Sequence, residues 1–273
     1  MADNQHTHPF IKMHGLGNDF AIFDARKSGL EMFEARARVL ADRRRGIGCD
    51  QLIVLRKSDT ADVFMEIWNA DGSRVGACGN ATRCVGQLML TETGKDRIGI
   101  ETDAGDLSAV AAGSLITVNM GPAGTDWNAI PVAVETDTVS ADFECGPLSA
   151  PGLVNMGNPH AVFIVDDVDA IDLDALGPQI EVDPFFPEHV NVSIVHVAGG
   201  NLRQRVWERG AGITEACGSG ACAAVVAASR KGLIGRKATV TLDGGDLEIE
   251  WLADGTVQMT GPATFVFEGE AAL

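Results

Sequence analysis

Short runs of apolar residues, most of them alternating with polar ones, follow one another along this chain, and longer helical patterns interrupt them at regular places. Ala21-Ile-Phe23 and Ala161-Val-Phe-Ile-Val165 are compact apolar runs, each preceded by Gly-Asn at Gly17-Asn18 and Gly157-Asn158, and they read as strands. Thr239-Val-Thr-Leu242 and Leu247-Glu-Ile-Glu-Trp251 alternate with a period of two and predict strands as well. Leu30 to Arg45 has apolar or small residues at 30, 33, 37 and 40 with arginines between them, and ends at Gly46, which predicts an amphipathic surface helix. Ala81, Cys84, Val85, Leu88 and Met89 predict a second helix from Gly79 to about Thr93. Its later counterpart, Gly218 to Arg230, is apolar on nearly every face, as a helix buried inside its domain must be. Each domain is therefore expected to be an antiparallel sheet curled round a central helix.

The chain also repeats itself at an offset of 139 or 140 residues. Gly17-Asn18 returns as Gly157-Asn158, Gln51 as Asn191, Trp68-Asn69 as Trp207-Glu208, and Cys78-Gly79-Asn80 as Cys217-Gly218-Ser219. Asp103-Ala-Gly-Asp-Leu107 returns as Asp243-Gly-Gly-Asp-Leu247, and Gly121-Pro-Ala123 as Gly261-Pro-Ala263. One such pair in a glycine-rich chain means little; six in register predict two homologous α+β domains, 1–126 and 127–273, joined near Pro122 to Pro131. Whether the final strand packs back on the first half is open at this point.

Composition narrows the function. A chain of 273 residues at roughly 150 per domain agrees with two domains. A net charge of −17 repels phosphate backbones and argues against a nucleic-acid partner. With no tyrosine, acid–base chemistry falls to other side chains. The first residues have neither a basic start nor an apolar stretch, and no apolar run approaches the ~18 residues that span a bilayer, so a cytoplasmic protein with no membrane partner is expected. Cys49, Cys78, Cys84, Cys145, Cys217 and Cys222 form no C-x-x-C pair and have no histidine cluster beside them, so they read as thiols and no metal or cofactor is expected.

Two of these cysteines stand where chemistry is favoured. Cys78 and Cys217 each precede a buried helix and are followed by glycine and a small polar residue. A helix N-terminus presents unpaired amides and about half a positive charge, which bind anions and lower a thiol's pKa. A carboxylate held between two such ends, in an interdomain cleft, places its α-carbon between two sulfurs. One thiolate then removes the α-proton while the opposite thiol donates one, the logic of a two-base racemase. The other cysteines, Cys49, Cys84, Cys145 and Cys222, read as small buried hydrophobes. The repeat also pairs Asn18 with Asn158, Gln51 with Asn191, Asn69 with Glu208 and Asn80 with Ser219, as two half-sites lining one ligand require. It breaks at His160, where the first half has Phe20, and at Glu208-Arg209, where it has Asn69-Ala70; these are candidates for pKa tuning and charge recognition.

Met13-His-Gly-Leu-Gly-Asn-Asp-Phe20, Gly46-Ile-Gly-Cys-Asp-Gln51, Asn69-Ala-Asp-Gly-Ser73, Cys78-Gly-Asn80, Met156-Gly-Asn-Pro-His160 and Glu208-Arg-Gly-Ala-Gly212 through Ala216-Cys-Gly-Ser-Gly-Ala-Cys222 closely resemble the diaminopimelate epimerase family. The likeness runs from about Phe10 to Gly269. It implies PLP-independent, cofactor-free interconversion of LL- and meso-diaminopimelate for lysine and peptidoglycan synthesis, with Cys78 and Cys217 as the acid/base pair and His160 and Glu208 tuning their pKa values. It further implies substrate contacts at Asn18, Gln51, Asn69, Gly79, Asn80, Asn158, Asn191, Glu208, Arg209, Gly218 and Ser219, and a homodimer. Three residues depart from the family pattern: Ala81 stands for its usual glycine, Ile213 for a glutamate, and Phe267 for a tyrosine at the dimer interface of some relatives, which weakens the dimer inference. A racemase for proline or hydroxyproline on the same scaffold is the alternative within the fold, and Arg209 argues against it, since a second carboxylate needs a cationic fork and proline has none. An amino-acid-binding protein without activity and a redox-sensing dithiol protein are the alternatives outside it.

Overall fold

The computed structural model describes residues 7–272. In chain order the elements are β1 (Thr7–Gly15), β2 (Asn18–Asp24), α1 (Glu34–Ala41), β3 (Gln51–Arg56), β4 (Val63–Asn69), β5 (Arg74–Val75), α2 (Gly79–Thr93), β6 (Arg97–Thr102), β7 (Gly105–Ala112) and β8 (Leu115–Pro122). They continue as β9 (Glu144–Cys145), β10 (Leu148–Ser149), β11 (Gly152–Asn155), β12 (Pro159–Ile164), α3 (Leu173–Glu181), β13 (Asn191–Ala198), β14 (Asn201–Glu208), β15 (Gly212–Thr214), α4 (Gly218–Arg230), β16 (Lys237–Leu242), β17 (Gly245–Trp251), β18 (Thr256–Gly261) and β19 (Thr264–Ala272). None of the described helices is long and apolar enough to cross a membrane.

The chain divides into two compact units: the part up to Val118 together with Pro262 onward, and Asn119–Gly261. The first boundary thus lies at Val118 instead of 126. The final segment returns to the first unit because β19 pairs antiparallel with β1, from Thr7↔Ala272 to His14↔Thr264.

The repeat is visible in the strand register. β2 pairs with β3 through Phe20↔Gln51, and β12 with β13 through His160↔Asn191, both exactly 140 residues apart in sequence. Leu52↔Trp68 in the first unit matches Val192↔Trp207 in the second, where the offset on the Trp strand has become 139. That lost residue lies in the hairpin between the paired strands, since β3 and β4 are joined by residues 57–62 whereas the longer β13 and β14 turn over residues 199–200. The offset returns to 140 by Ile100 and Val240, after a connection that is longer from α4 to β16 than from α2 to β6.

The α+β class and the duplication hold, and the sheets are mostly antiparallel. Each unit nevertheless has two parallel pairings, β2–β3 and β4–β6 in the first, β12–β13 and β14–β16 in the second. Parallel neighbours need a crossover connection, usually a helix, and each of the four α-helices among the described residues lies in one. Alternation within a strand cannot distinguish a hairpin partner from a crossover partner, which is why the sequence alone suggested an all-antiparallel arrangement.

Both central helices match their expected spans. From Gly220 to Ala228 every residue of α4 is buried, and the helix packs against β11, β12, β13, β14, β16, β17 and β18, so the sheet curls round it. In the first unit α2 packs on β1, β6 and β7. At Gly86 the approach to β7 is so close that a Cβ would sit 2.4 Å from that of Ala109. The surface helix is shorter than the Leu30–Arg45 expected. Asp42 leaves helical geometry, and its carboxylate accepts the Arg44 and Arg45 amides at 2.7 and 2.8 Å, offering the backbone a turn in place of another helical turn. Leu30 and Met32 are buried in the non-helical approach, in one apolar cluster with Ala37, Leu40, Leu52 and Trp68.

Candidate active site

Cys78 occupies the N-cap of α2 (φ −147°, ψ 112°) and Cys217 that of α4 (φ −114°, ψ 108°). Ser, Thr, Asp and Asn are the usual residues there because their oxygen accepts an orphan amide, and losing such a cap costs about 1 kcal/mol. A thiol is a poor acceptor. Cys78 makes no side-chain cap bond and Cys217 only a weak sulfur one, so both caps give up most of that stabilisation and gain a sulfur at the positive end of a helix.

In the first unit, Cys78 is half-buried and its Sγ lies 3.9 Å from Asn18 Oδ1. Asn18 starts β2, and its Oδ1 also accepts from Asn80 Nδ2 at 3.2 Å. Gln51, first residue of β3, donates through Nε2 to Asn69 Oδ1 at 2.9 Å, and Asn69 Nδ2 donates to Ser73 at 3.0 Å. Gln51 Oε1 is buried with no hydrogen-bond partner among the described residues. A buried acceptor left empty is costly unless a ligand fills it. Gly79 opens α2 directly after the thiol. The register that sets Phe20 opposite Gln51 and Gln51 opposite Asn69 thus gathers Asn18, Gln51, Asn69, Cys78, Gly79 and Asn80 in one unit.

The second unit places Asn158, His160, Asn191, Glu208, Arg209, Cys217, Gly218 and Ser219 on the equivalent elements. Cys217 is buried; its Sγ accepts the Gly220 amide at 3.3 Å and lies 3.5 Å from Ser219 Oγ. Ser219 Oγ is 3.1 Å from His160 Nε2, which is also 3.0 Å from Asn158 Oδ1. Glu208 accepts from the Thr214 hydroxyl and from the Cys217 thiol. Asn191 is spent on backbone: it donates to the Pro159 carbonyl at 2.8 Å and accepts the Arg209 amide at 3.0 Å, so it shapes the turn that carries Glu208 and Arg209. Arg209 is exposed and its guanidinium donates to the Glu188 carbonyl at 2.9 Å. No carboxylate among the described residues pairs with it, Glu208 included.

Electrostatics correct one expectation. The helix N-terminus does not dominate at Cys217: burial and the adjoining Glu208 charge push this thiol well above its ordinary value, and the hydrogen bonds from Ser219 and Gly220 recover only part of that. Cys217 therefore rests as a thiol, with a carboxylate in place to accept its proton. Burial pushes Cys49 up to about 11 and Cys84 up to about 12, in keeping with inert packing roles.

His160 is fully buried, and desolvation assisted by the Arg209 charge holds it down to about 3, so its imidazole is neutral. Between pH 6.5 and 3 the unfolded chain binds a proton at this residue that the folded chain does not, so stability falls as pH drops through that window. At pH 5 the loss is roughly 2 kcal/mol. Thermal melts of the protein and of His160→Gln across pH 8 to 5 check this; the variant should show a flatter decline.

Three contributors escaped the sequence reading. Glu181, at the end of α3, accepts Trp207 Nε1 at 2.7 Å and the Gly210 amide at 2.8 Å, bracing the Glu208–Gly212 turn. Asp50 accepts from Asn18 Nδ2 at 3.0 Å. Gln204 is buried beneath the first turn of α4 and donates to Ser193 at 2.8 Å; a Cβ on Gly220 would lie 3.1 Å from its amide and 3.2 Å from the Cys217 sulfur. The repeat held a signal for the last: glycine stands at 220 where Ala81 stands in the first half, and Gln204 where the first half has Met65.

The diaminopimelate epimerase family profile matches residues 10–125 and 152–266, the two halves of the repeat. The chain belongs to this isomerase family. It is similar to the diaminopimelate epimerase of Phenylobacterium zucineum, with 54% identity over 268 residues covering 96% of this chain and 97% of that one. The diaminopimelate epimerase of Rhodospirillum centenum is 52% identical over 265 residues, covering 96% and 91%. Among solved structures, a hydroxyproline epimerase from Agrobacterium vitis with bound trans-4-hydroxy-L-proline superposes with a TM-score of 0.68 at 16% identity, covering 100% of this chain and 94% of that one. A phenazine biosynthesis protein of the PhzF family from Bacillus anthracis gives 0.69 at 17%, covering 98% and 100%. At such identities the structural likeness speaks for the fold of this epimerase-family chain, not for its substrate.

Proposed function

We propose that this chain interconverts LL- and meso-diaminopimelate by a PLP-independent, two-thiol mechanism in the cytoplasm, supplying lysine and peptidoglycan synthesis. The observation that carries the reading is the pair of cysteines at equivalent helix N-caps in a duplicated fold. A two-base epimerisation needs one proton acceptor and one donor on opposite faces of the α-carbon, and the duplication supplies one thiol per unit. In the LL to meso direction one thiol, deprotonated, takes the α-proton, and the other delivers its own proton to the opposite face; the return reaction exchanges the roles. The start of α2 (Gly79, Asn80) and that of α4 (Gly218, Ser219) supply donors for the α-carboxylate, where charge accumulates as the α-proton leaves. Gln51 Oε1 and the buried His160 Nδ1, which has no hydrogen-bond partner among the described residues, are acceptors suited to an ammonium group. Asn18, Asn69, Asn158 and Asn191 orient these groups, and Glu208 takes the proton that activates Cys217.

Arg209 selects the substrate. Its guanidinium, unpaired with any described carboxylate, suits the distal carboxylate of diaminopimelate, a group that proline and hydroxyproline lack. Lysine at this position keeps the charge but loses the planar fork that matches two oxygens. Arg209→Lys is expected to lower kcat/KM at least ~10-fold, about 1.4 kcal/mol of transition-state binding, with an unchanged melting temperature. Unchanged kinetics with a lowered melting temperature would make Arg209 structural.

A homodimer completes the proposal. Phe265, Val266 and Phe267 of β19 are 54, 48 and 45% exposed, a run of large apolar side chains that water disfavours. Light scattering is expected to give twice the 28.7 kDa chain mass, and Phe267→Asp to shift it toward the monomer.

A further inference from the structure

Asn18 is the neighbour of the Cys78 sulfur that the structure places at 3.9 Å, and which end of its amide faces that sulfur decides which form of the thiol is favoured. A carboxylate can only accept, so the Asp50 oxygen 3.0 Å away requires the Asn18 NH2 on its side and turns the carbonyl oxygen toward Cys78. The Asp50 carboxylate is itself held on several sides. It accepts the Asp19 amide at 3.1 Å, and its own amide donates to Asp19 Oδ1 at 2.9 Å. Arg43 reaches both Asp19 and Asp50 at 2.7 Å. The buried Lys12 ammonium lies 2.6 Å from Asp19 and donates to the Gly48 carbonyl. Burial alone would push Asp19 up, but Arg43 and Lys12 hold its carboxyl down to about 2.

The second half lacks this network. Val190 stands in place of Asp50 and Pro159 in place of Asp19, and Asn158 turns its oxygen to His160 Nε2, where the first half has Phe20. One asparagine of the matched pair is thus aimed by a carboxylate and the other faces an imidazole. We infer that Asp50 is a positioning residue for Cys78: it fixes Asn18 with its carbonyl oxygen toward the sulfur, which favours the thiol over the thiolate. This rests on the two-thiol reading above, and it makes Cys78 the proton donor of the resting enzyme. The other charged groups around this corner are paired elsewhere: Arg74 on β5 with Glu66 and Asp103, while Arg83 on α2 donates to the Pro262 carbonyl. His14 on β1 accepts the Gly17 amide, and Cys84 on α2 and Cys49 before β3 are buried thiols.

The test is the pH dependence of Cys78 alkylation by iodoacetamide in the full chain, followed by peptide mass mapping with Cys145 as internal control. Asp50→Val, which installs the apolar character of the second half, leaves the Asn18 amide held by the Asn80 bond without its carboxylate anchor, and the Cys78 midpoint should fall by at least about 0.5 pH unit while that of Cys145 stays. Asp50→Asn, which keeps the shape and can donate to Asn18, should shift the midpoint in the same direction and decides the matter if the valine variant does not fold. An unshifted Cys78 midpoint in a folded variant would overturn the assignment. Because the readout is alkylation, it separates two failures: a shift in a protein that does not exchange the α-proton of diaminopimelate removes the epimerase reading, and no shift in an active enzyme removes only the role of Asp50.

Discussion

Replacing either Cys78 or Cys217 by alanine should lower epimerase activity at least 100-fold while leaving the melting temperature within a few degrees. A positioned acid or base contributes typically ~10²–10⁴ in rate, and without either thiol one face of the α-carbon has no proton donor or acceptor. Stability should hold because alanine is tolerated at both caps: Cys217 makes weak sulfur contacts, with the Gly220 amide, the Ser219 hydroxyl and Glu208, and Cys78 is half-buried. Circular dichroism melts and coupled assays of LL-diaminopimelate turnover check both halves of this expectation. More than about 1% residual activity in either variant would contradict the two-base assignment.

Glu208→Gln should have the next largest effect, roughly 100-fold on kcat with a smaller change in KM. The carboxylate stands against Cys217 and, after burial, is the main cause of that thiol's raised pKa. The amide removes a negative charge, so thiolate formation becomes easier and the alkylation midpoint of Cys217 should move to lower pH. The same change removes the base that relieves Cys217 of its proton during turnover. A more acidic thiol in a slower enzyme is a combination that mere loss of packing does not produce. Parallel kinetics and alkylation profiles of the two proteins measure it; faster turnover in the variant would exclude a proton-accepting role.

Much of this was legible in the residues themselves, for a physical reason. A duplicated fold conserves hydrogen-bonding register, so the 140-residue spacing of Phe20 with His160 and Gln51 with Asn191 in the chain became equivalent strand pairings. The helix bounds at Gly79–Thr93 and Gly218–Arg230 followed from apolar faces that only a curled sheet could cover. What was hidden depends on partners distant in sequence. The parallel pairings, the Glu181 brace on the Glu208–Gly212 turn and the Asp50 grip on Asn18 join residues whose own neighbourhoods give no hint of one another. The direction of the Cys217 shift was hidden too, because a helix N-terminus lowers a thiol's pKa while burial and a nearby carboxylate raise it, and how complete the burial is depends on the tertiary fold. The short α1 was a matter of local competition: Asp42 could continue the helix or turn it, and its bonds to the Arg44 and Arg45 amides decided for the turn.

The central claim is proton exchange at one carbon by two thiols, and the appearance of solvent deuterium at the α-carbon tests it most directly. In D₂O, with LL-diaminopimelate and no added PLP, the wild-type protein should place deuterium at the inverted α-carbon of the meso product as it forms. Proline and hydroxyproline should remain unlabelled, and both cysteine variants should form deuterated product at least 100-fold more slowly. Meso product formed without deuterium, or no substrate-dependent exchange at all, would contradict the account.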